Sequence, residues 1–470
     1  MMTGRLHDMK VAFHTLGCKV NQYETEAMRE QFAGAGHETV GEEDFADAYI
    51  INTCTVTALA DRKSRQYIRR MKKGNPDVVI AVTGCYVQIK PDEVAAIDGV
   101  DIVAGTNEKE KILGYVEELI ERRSGNYAAD AADADAEPEC SMAARHVLPY
   151  EELGEYTGSG IITSMESRTR AYIKIEEGCD RFCSYCVIPY ARGPVRSRPE
   201  EEILREAESL IEKGFKELIL TGINTALYSD LPGLLEKLDA LDAKGGDFRV
   251  RLSSLEPTVV NADYVKGLVK FRRLCHHLHL SLQSGSDRIL KAMKRRYDME
   301  EYMKIVDVLR AEDPLYGIST DIIAGFPGEE DEDIEGSVRT IERVKFCKTH
   351  AFNYSQRPGT VAAAMSDQVP PPVRKQRVGL LMEAGEKACA EFAEMNIGTT
   401  NKVLFEEKIV TARNDHDKMQ QNDENRIMMA GYTDNYLRAY APLDETCLGN
   451  ITEVRIESLH GDGVLVTPNV

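Results

Sequence analysis

The sequence predicts an α/β protein built from three modules: a parallel α/β domain at residues 1–125, a partial (β/α)6 TIM-like barrel at 166–395, and a small all-β barrel at 396–470. In the first two modules, short apolar runs alternate with helical stretches, which is the pattern of parallel sheets. From residue 396 the runs become shorter and alternate apolar with polar residues, which is typical of a small β-barrel. Residues 126–165 are acidic and alanine-rich, so we expect a linker or surface insertion there.

Composition narrows the class of protein. A chain of 470 residues can hold several domains with proper cores, and its formal net charge of −20 argues against nonspecific binding to nucleic acid. We find no apolar stretch near the ~20 residues of a membrane helix and no signal-peptide core, so we expect a cytoplasmic protein without a membrane partner. Thiols stay reduced in that compartment, so the eleven cysteines are expected to be ligands, catalytic groups or core residues.

In the first module, three cysteines each follow an apolar run that is typical of a buried strand. Cys18 follows VAFHTLG, Cys54 follows AYIINT and Cys85 follows VVIAVTG. Loops after the carboxyl ends of neighbouring parallel strands lie at one edge of the sheet. The fold can therefore bring the three cysteines together. The alternative is three core cysteines, since free cysteine is often buried.

In the second module, six apolar runs predict six strands. They occupy residues 171–177, 216–222, 248–254, 277–282, 316–326 and 350–356. Each run is followed by a polar or Gly/Pro-rich loop, and in β/α barrels such loops carry the active site. We therefore expect functional residues in these loops.

The first of these loops carries CxxxCxxC, formed by Cys179, Cys183 and Cys186. An irregular loop can place three thiolates around one metal centre, and thiolates are soft ligands for iron–sulfur clusters or zinc. Zinc is the less favoured alternative, because no further Cys or His follows at finger spacing. Three ligands leave one metal corner open for a substrate, which favours an enzyme over a noncatalytic iron–sulfur protein that binds RNA or carries electrons.

These motifs resemble a known family. CxxxCxxC at the first strand of a partial β/α barrel is similar to the radical S-adenosylmethionine (SAM) enzymes, and the order of the three modules is similar to the methylthiotransferases. The segment GYTDNYLRAYAP resembles the RNA-binding TRAM domains. TLGCKVNQYETE and YIKIEEGCDRFCSYCVIPYARGPVRSR resemble the branch that modifies N6-threonylcarbamoyladenosine in tRNA. Branches that modify isopentenyladenosine in tRNA or a ribosomal-protein aspartate remain alternatives.

The resemblance implies two 4Fe–4S clusters and SAM as cofactors. Cys179, Cys183 and Cys186 would hold the cluster that binds SAM at its open iron. Cys18, Cys54 and Cys85 would hold a second cluster that carries the sulfur. The activity implied is addition of a methylthio group to the adenine C2 carbon of N6-threonylcarbamoyladenosine at tRNA position 37, next to the anticodon. A tRNA anticodon loop, a sulfur donor and a low-potential electron donor such as flavodoxin or ferredoxin are the implied partners.

The remaining predictions concern SAM, RNA and the other cysteines. The motif loops offer SAM contacts at Tyr185, Thr221, Gly222, Ser254, Glu256, Gln283, Gly325 and Phe326, although glycine-containing loops can also simply be turns. Phosphate contacts are predicted from basic side chains, namely Arg69, Arg70, Lys72, Lys73, Arg196, Arg198 and Arg295. We expect the five other cysteines to have no ligand role, and they are Cys140, Cys275, Cys347, Cys389 and Cys447.

Overall fold

The computed structural model describes residues 8–55, 58–124, 143–154, 156, 160–165, 169–242, 246–411 and 426–469. The chain divides into two compact units. The first unit comprises Met1–Ser164, Glu176–Arg198 and Ser355–Ala363, and the second comprises Met165–Ile175, Pro199–Tyr354 and Ala364–Val470. The segment that carries CxxxCxxC therefore belongs to the same unit as the N-terminal residues, whereas the sequence pattern grouped it with the barrel.

In the described residues of the N-terminal part, six strands form one parallel sheet in the order β2-β1-β3-β4-β5-β6. The strands are β1 (Lys10–Thr15), β2 (Glu38–Val40), β3 (Ala48–Thr53), β4 (Val79–Gly84), β5 (Ile102–Ala104) and β6 (Ala144–His146). The helices are α1 (Lys19–Gly34), α2 (Ala58–Gly74), α3 (Cys85–Ile89), α4 (Pro91–Ala95) and α5 (Ile112–Arg123). Ile50 and Ile51 belong to apolar clusters on opposite faces, so the sheet is buried on both sides, as is usual for parallel sheets.

Strand β6 corrects the predicted linker. Residues 144–146 pair with β5 in parallel, although they fall within the segment 126–165 that we expected to be a linker. The pairing satisfies backbone groups of β5 that would otherwise form an open sheet edge. The acidic stretch 125–142, with Cys140, lies outside the described residues.

The central part contains all six predicted strands. Its strands are β7 (Arg170–Lys174), β8 (Glu176–Glu177), β9 (Arg196–Ser197), β10 (Glu217–Thr221), β11 (Arg249–Leu252), β12 (Ser254–Leu255), β13 (His277–Leu280), β14 (Gly317–Ala324) and β15 (Lys348–Asn353). Its helices are α6 (Ile188–Arg192), α7 (Glu200–Glu212), α8 (Leu231–Ala240), α9 (Ala262–Leu268), α10 (Asp287–Ala292), α11 (Met299–Glu312), α12 (Asp331–Val344) and α13 (Pro371–Met395). Strands β7, β10 and β11 form one parallel sheet and β12 to β15 form another. Only Ser253 separates β11 from β12, so these two short strands take the place of the single strand predicted at 248–254. The six predicted strands therefore occur in the expected chain order.

The C-terminal part is a closed β-barrel, as its alternating pattern predicts. Its strands are β16 (Thr400–Thr411), β17 (Arg426–Thr433), β18 (Arg438–Pro442), β19 (Ile451–His460) and β20 (Gly463–Pro468), in the order β16-β17-β18-β20-β19. Phe405, Met429 and Val454 lie in its apolar core. The resemblance of this barrel to TRAM domains stays a prediction.

A buried ion cluster joins the C-terminal barrel to the amino ends of β10 and β11. The Glu217 carboxylate accepts hydrogen bonds from Arg249 Nε at 2.6 Å and from Arg251 Nε at 3.0 Å. Both guanidinium groups also donate to barrel carbonyls, which belong to Lys402, Tyr432, Thr433 and Asp434. Because every charge in the cluster has a partner, its burial is compatible with a stable second unit.

The Glu217 carboxylate predicts an acid-sensitive attachment of the C-terminal barrel. Burial alone would raise its pKa, but Arg251 and Arg249 hold it well below its ordinary value. The stabilisation is therefore complete above the ordinary glutamate pKa of about 4.3 and is lost as the pH falls from there towards the folded-state value. We expect Glu217→Gln to lower the free energy of unfolding by about 1.5–3 kcal/mol at neutral pH.

Urea unfolding at pH 7 and at about pH 2.5, well below the ordinary glutamate pKa, checks the Glu217 prediction. Glu200→Gln is the control, because Glu200 pairs with the exposed Lys237. The Glu217→Gln protein should lose less stability than the parent between the two pH values. Equal acid sensitivity of parent and variant would contradict the prediction.

Candidate functional site

Three cysteine-bearing loops lie at one edge of the N-terminal sheet. Strands β1, β3 and β4 are neighbours in parallel register, so their carboxyl ends are side by side. Cys54 and Cys85 follow β3 and β4 directly, and Cys18 comes three residues after the end of β1. A Cβ added to Gly17 would lie 3.1 Å from the Cβ of Cys54, which shows how closely the first two loops approach. The common edge expected from the sequence is present.

Local geometry fixes the backbone of these loops. Gly84 has φ +102°, and a Cβ there would collide with the carbonyl oxygen of Thr53, so only glycine fits before Cys85. Asn21, on the first turn of α1, donates to the carbonyls of Leu16 and Thr53, each at 3.0 Å. Asn21 therefore ties the loop that carries Cys18 to the strand that ends at Cys54. Cys18 is the N-cap residue of α1.

A buried network of charged side chains surrounds Cys85. Arg192 is fully buried, and its Nε donates to Cys85 Sγ at 3.0 Å. The same guanidinium donates to Glu177 at 2.9 Å and also to Glu24, which pairs in turn with the buried Lys109. Two cations and two carboxylates thus stand in one water-excluded region beside a candidate ligand.

The donor set at this edge fits an iron–sulfur cluster. Burial raises the pKa of the Cys85 thiol, while Arg192 and Lys109 oppose that rise. Among the described residues, no three His, Cys, Asp or Glu side chains lie close enough together to bind a metal ion as they stand. The argument for a cluster therefore rests on ligand chemistry. Three thiols on adjacent loops are the soft donors that iron–sulfur clusters use, and the nearby cations balance thiolate charge.

The CxxxCxxC motif lies in an irregular loop between β8 and α6, as the spacing predicts. Gly178 has φ +84°, and a Cβ there would collide with the carbonyl of Pro194, so glycine is required before the first ligand. The amide of Cys186 donates to the carbonyl of Cys183 at 2.9 Å, which closes a turn between these two thiols. A loop of this shape can direct several sulfurs to one centre.

The predicted SAM residues follow the carboxyl ends of consecutive strands in the second unit, apart from Tyr185, which lies in the first unit beside Cys186. Those in the second unit are Thr221, Gly222, Ser254, Glu256, Gln283, Gly325 and Phe326. Gln283 adopts φ +66°, a conformation uncommon for a residue other than glycine. The Glu256 carboxylate accepts from Asn224 at 2.9 Å, so at least one of its oxygens already has a structural role. SAM binding by these residues stays a prediction.

Two of the arginines predicted to contact RNA, Arg196 and Arg198, are buried, and Arg295 is partly buried. Arg198 donates to the Tyr23 hydroxyl at 3.0 Å, and Arg295 pairs with Glu256 at 3.4 Å. A phosphate contact needs a cation at the surface, so their burial does not favour RNA contacts at these three arginines, which stay a prediction.

The basic helix α2 keeps an exposed cationic face. Arg69 and Lys73 are exposed, and Arg70 is exposed but pairs with Glu43. Lys72 is partly buried and donates to a backbone carbonyl 3.1 Å away. The helix therefore presents fewer available cations than its sequence suggests.

The other cysteines in the described part of the chain have packing positions. Cys275, Cys347 and Cys447 are buried, and the Cys389 thiol donates to the Cys347 carbonyl at 3.0 Å. Burial raises the pKa of Cys347 to about 12. Cysteines in such surroundings are poor nucleophiles.

Several residues of the site escaped the sequence reasoning. Arg192, Glu24 and Lys109 form the network at Cys85, and Arg357 donates to Asp61 at 2.9 Å near the Cys54 loop. Asn21 and Glu24 carry a weak signal, because they lie three residues apart on α1 just after Cys18 and so share one helix face. The arginines carry no such signal, because the sequence around a buried arginine does not differ from the sequence around an exposed one.

No helix of the described residues has the length and apolarity to cross a membrane.

The fold and the CxxxCxxC loop define a radical SAM protein. A family model described as "Radical SAM superfamily" matches residues 173–341, and one described as "Uncharacterized protein family UPF0004" matches residues 10–105. The radical SAM methyltransferase TsrM from Kitasatospora setae, solved with cobalamin and a 4Fe–4S cluster bound, has a similar fold. Its TM-score is 0.56 over 75% of this chain and 76% of its own, at 15% sequence identity.

Curated relatives place the chain more closely. It is 40% identical to "Threonylcarbamoyladenosine tRNA methylthiotransferase MtaB" of Bacillus subtilis, over 95% of this chain and 93% of the relative. It is 37% identical to the protein of that name from Aquifex aeolicus, over 91% and 96%. A "tRNA-2-methylthio-N(6)-dimethylallyladenosine synthase" from Carboxydothermus hydrogenoformans is 32% identical, over 96% and 98%. The chain belongs to the radical SAM methylthiotransferase family, which confirms the resemblance, and membership implies a 4Fe–4S cluster and SAM as cofactors.

Proposed function

We propose that this protein adds a methylthio group to the adenine C2 carbon of N6-threonylcarbamoyladenosine in tRNA, next to the anticodon, in the cytoplasm. Similarity to MtaB relatives over almost the whole chain supports the substrate. The observation that carries the reaction is the common edge at which Cys18, Cys54 and Cys85 follow three adjacent parallel strands. A noncatalytic electron-transfer or RNA-binding protein is expected to ligate its clusters fully, whereas each of these two sets supplies only three thiols.

The two cysteine sets take different roles in this proposal. Cys179, Cys183 and Cys186 would hold the cluster that binds SAM, and Cys18, Cys54 and Cys85 would hold a second 4Fe–4S cluster. When bound, these groups supply reductive SAM cleavage, hydrogen abstraction from the adenine carbon and a methylated sulfur for the new carbon–sulfur bond.

The chain itself positions and shields the second centre. Asn21 fixes two of the three loops, and Gly84 allows the tight approach to the third. Arg192 places a positive charge beside Cys85 in a region closed to water. A sulfur donor and a low-potential electron donor such as flavodoxin or ferredoxin complete the reaction as external partners.

Nucleoside mass spectrometry of tRNA from a deletion strain tests the proposed substrate. We expect the methylthio form of N6-threonylcarbamoyladenosine to disappear, the unmodified nucleoside to accumulate, and a plasmid copy of the gene to restore the parent pattern. Loss of the methylthio form of isopentenyladenosine instead would assign the protein to the other tRNA branch. An unchanged nucleoside pattern together with SAM-dependent modification of a ribosomal protein would exclude tRNA as the substrate.

The exposed face of α2 is proposed to bind tRNA phosphates. We expect glutamine at Arg62, Lys63, Arg69 and Lys73 to weaken tRNA binding, and to reduce the slope of log affinity against log salt by ~0.7–0.9 per lost phosphate contact. Titrations at several salt concentrations measure both quantities.

A matched control removes the same charge elsewhere. Glutamine at four exposed basic residues of the second unit gives an equal change in net charge, and these are Lys266, Lys304, Arg339 and Lys387. The control should retain the parent slope. Equal effects of the two variants would mean that net charge, and not α2, determines binding.

A further inference from the structure

Three large aromatic rings are exposed together in the first unit. Phe182 is 40% exposed, Tyr190 is 49% exposed and Tyr150 is 38% exposed. The centroids of Phe182 and Tyr190 are 5.6 Å apart, and those of Tyr190 and Tyr150 are 6.5 Å apart. Single exposed apolar residues are common on protein surfaces, but a contiguous group marks a binding surface.

Two of these rings line a cavity. Tyr150 and Tyr190 form part of the wall of a pocket of about 460 Å³, together with Leu148 and the ion pair of Arg145 and Asp92. This volume lies within the ~300–1,000 Å³ of small-molecule sites, which are lined by apolar and aromatic groups with a few polar ones. The two rings are inclined at 50° to each other, so the pocket is large enough for one flat heterocycle against a tyrosine face and not between the two.

The surroundings of the pocket indicate what it binds. Tyr190 lies on α6, directly after the CxxxCxxC loop, and Phe182 lies within that loop. Asp92, which also lines the pocket, belongs to α4, and Glu93 of this helix pairs with Arg65 of the basic helix α2 at 3.0 Å. Within the first unit, the pocket wall is thus connected to the radical SAM loop through Tyr190 of α6 and to the cationic helix through α4.

A nucleobase fits this combination of aromatic faces and nearby cations. Proteins that bind single-stranded RNA place bases against aromatic side chains and the phosphates along basic surfaces. A purine that undergoes chemistry leaves its stack, which leaves its neighbours in the loop without a stacking partner. A peptide or lipid ligand would not account for the continuity with a basic helix and a radical SAM loop.

We propose that Tyr150 and Tyr190 form a stacking site for one unpaired nucleotide of the tRNA anticodon loop, distinct from the nucleotide that is modified. The proposal rests on the proposed tRNA function and adds a binding site to it. Aromatic stacking tolerates any base, since every base has a π face. The site therefore holds the loop open without selecting its sequence.

Leucine and phenylalanine variants test the role of the rings. The double variant Tyr150→Leu with Tyr190→Leu keeps apolar side chains but removes the aromatic rings. The double variant Tyr150→Phe with Tyr190→Phe keeps the rings and removes only the hydroxyl groups. With the cluster-reconstituted full chain and an anticodon stem-loop RNA, we expect the leucine variant to bind about tenfold or more weakly, with an unchanged salt slope. The phenylalanine variant should bind within about twofold of the parent, because the ring faces are retained. Phe45→Leu, which alters a ring 68% exposed in the same unit, should leave binding unchanged.

Three results would each overturn the stacking site. They are parent-like affinity of the leucine variant, equal losses in the leucine and phenylalanine variants, and a loss accompanied by a smaller salt slope. Iron content and thermal unfolding check that the variants fold. If the Tyr190→Leu change prevents folding, Tyr150→Leu alone takes the place of the double variant. Parent protein that binds a stem-loop containing N6-threonylcarbamoyladenosine through these tyrosines, but does not methylthiolate it with SAM, reductant and a sulfur source supplied, would refute the proposed function and leave the stacking site standing.

Discussion

Alanine at Cys18, Cys54 and Cys85 together is expected to abolish methylthiolation while leaving reductive SAM cleavage in place. The three thiols follow adjacent strands and are well separated in sequence from CxxxCxxC, so their removal should empty one centre and spare the other. Iron should fall from about eight to about four atoms per chain, since each cubane holds four. Anaerobic assays for 5′-deoxyadenosine and for the methylthiolated nucleoside measure the two activities separately.

A second cysteine variant controls for disturbance of the core. Cys275 and Cys447 are buried in the second unit, so Cys275→Ala with Cys447→Ala should lower stability and leave the iron content unchanged. Alanine at Cys179, Cys183 and Cys186 should remove SAM cleavage and also about four iron atoms. Full iron content in the triple variant at residues 18, 54 and 85 would show that these thiols hold no cluster.

Arg192→Met is expected to destabilise the first unit by about 3–5 kcal/mol, the usual cost of removing one partner from a buried ion pair. The Arg192 guanidinium is fully buried and pairs with both Glu24 and Glu177. Methionine fills much of the same space but removes the guanidinium from Glu24 and Glu177 and the hydrogen-bond donor from Cys85. The second cluster should therefore also become easier to lose. Chemical unfolding of the metal-free protein and iron release from the reconstituted protein measure these two effects.

A conservative variant and a surface variant serve as controls for Arg192→Met. Arg192→Lys keeps the positive charge but cannot reproduce the planar set of donors, so its stability should lie between those of the parent and the methionine variant. Arg122→Met breaks an exposed pair with Glu118 and should change little. Parent-like stability of Arg192→Met would mean that the network is not what holds this region together.

The sequence predicted the strands that support the site because their physical signal is local. Continuous apolar runs before Cys18, Cys54 and Cys85 indicate strands buried on both faces, and the structure has strands that end at Thr15, Thr53 and Gly84. The same reasoning located the six central strands and predicted the all-β barrel of the C-terminal part. Parallel pairing then follows from the alternation with helices.

The buried arginines could not be predicted in this way. RSR at 196–198 has the composition of a surface patch, yet Arg198 donates to Tyr23, more than 170 residues away in sequence. Whether an arginine side chain faces water depends on hydrogen-bond acceptors from segments that are distant in sequence. The hydrophobic periodicity of the local sequence carries no information about those acceptors. For this reason the RNA contacts were the weakest part of the predicted site, and the cysteine ligands, whose spacing is itself the signal, were the clearest part.

The first unit is assembled from three separated stretches of chain, the last of which is Ser355–Ala363. Arg357 in this stretch donates to Asp61, 296 positions earlier. During vectorial synthesis the amino-terminal strands leave the ribosome long before this arginine exists, and domains generally fold as they emerge. The region around Cys54 therefore stays incomplete until translation has passed residue 357. We therefore expect insertion of the proposed second cluster to be a late event in biogenesis, and chains truncated before residue 357 should lack it.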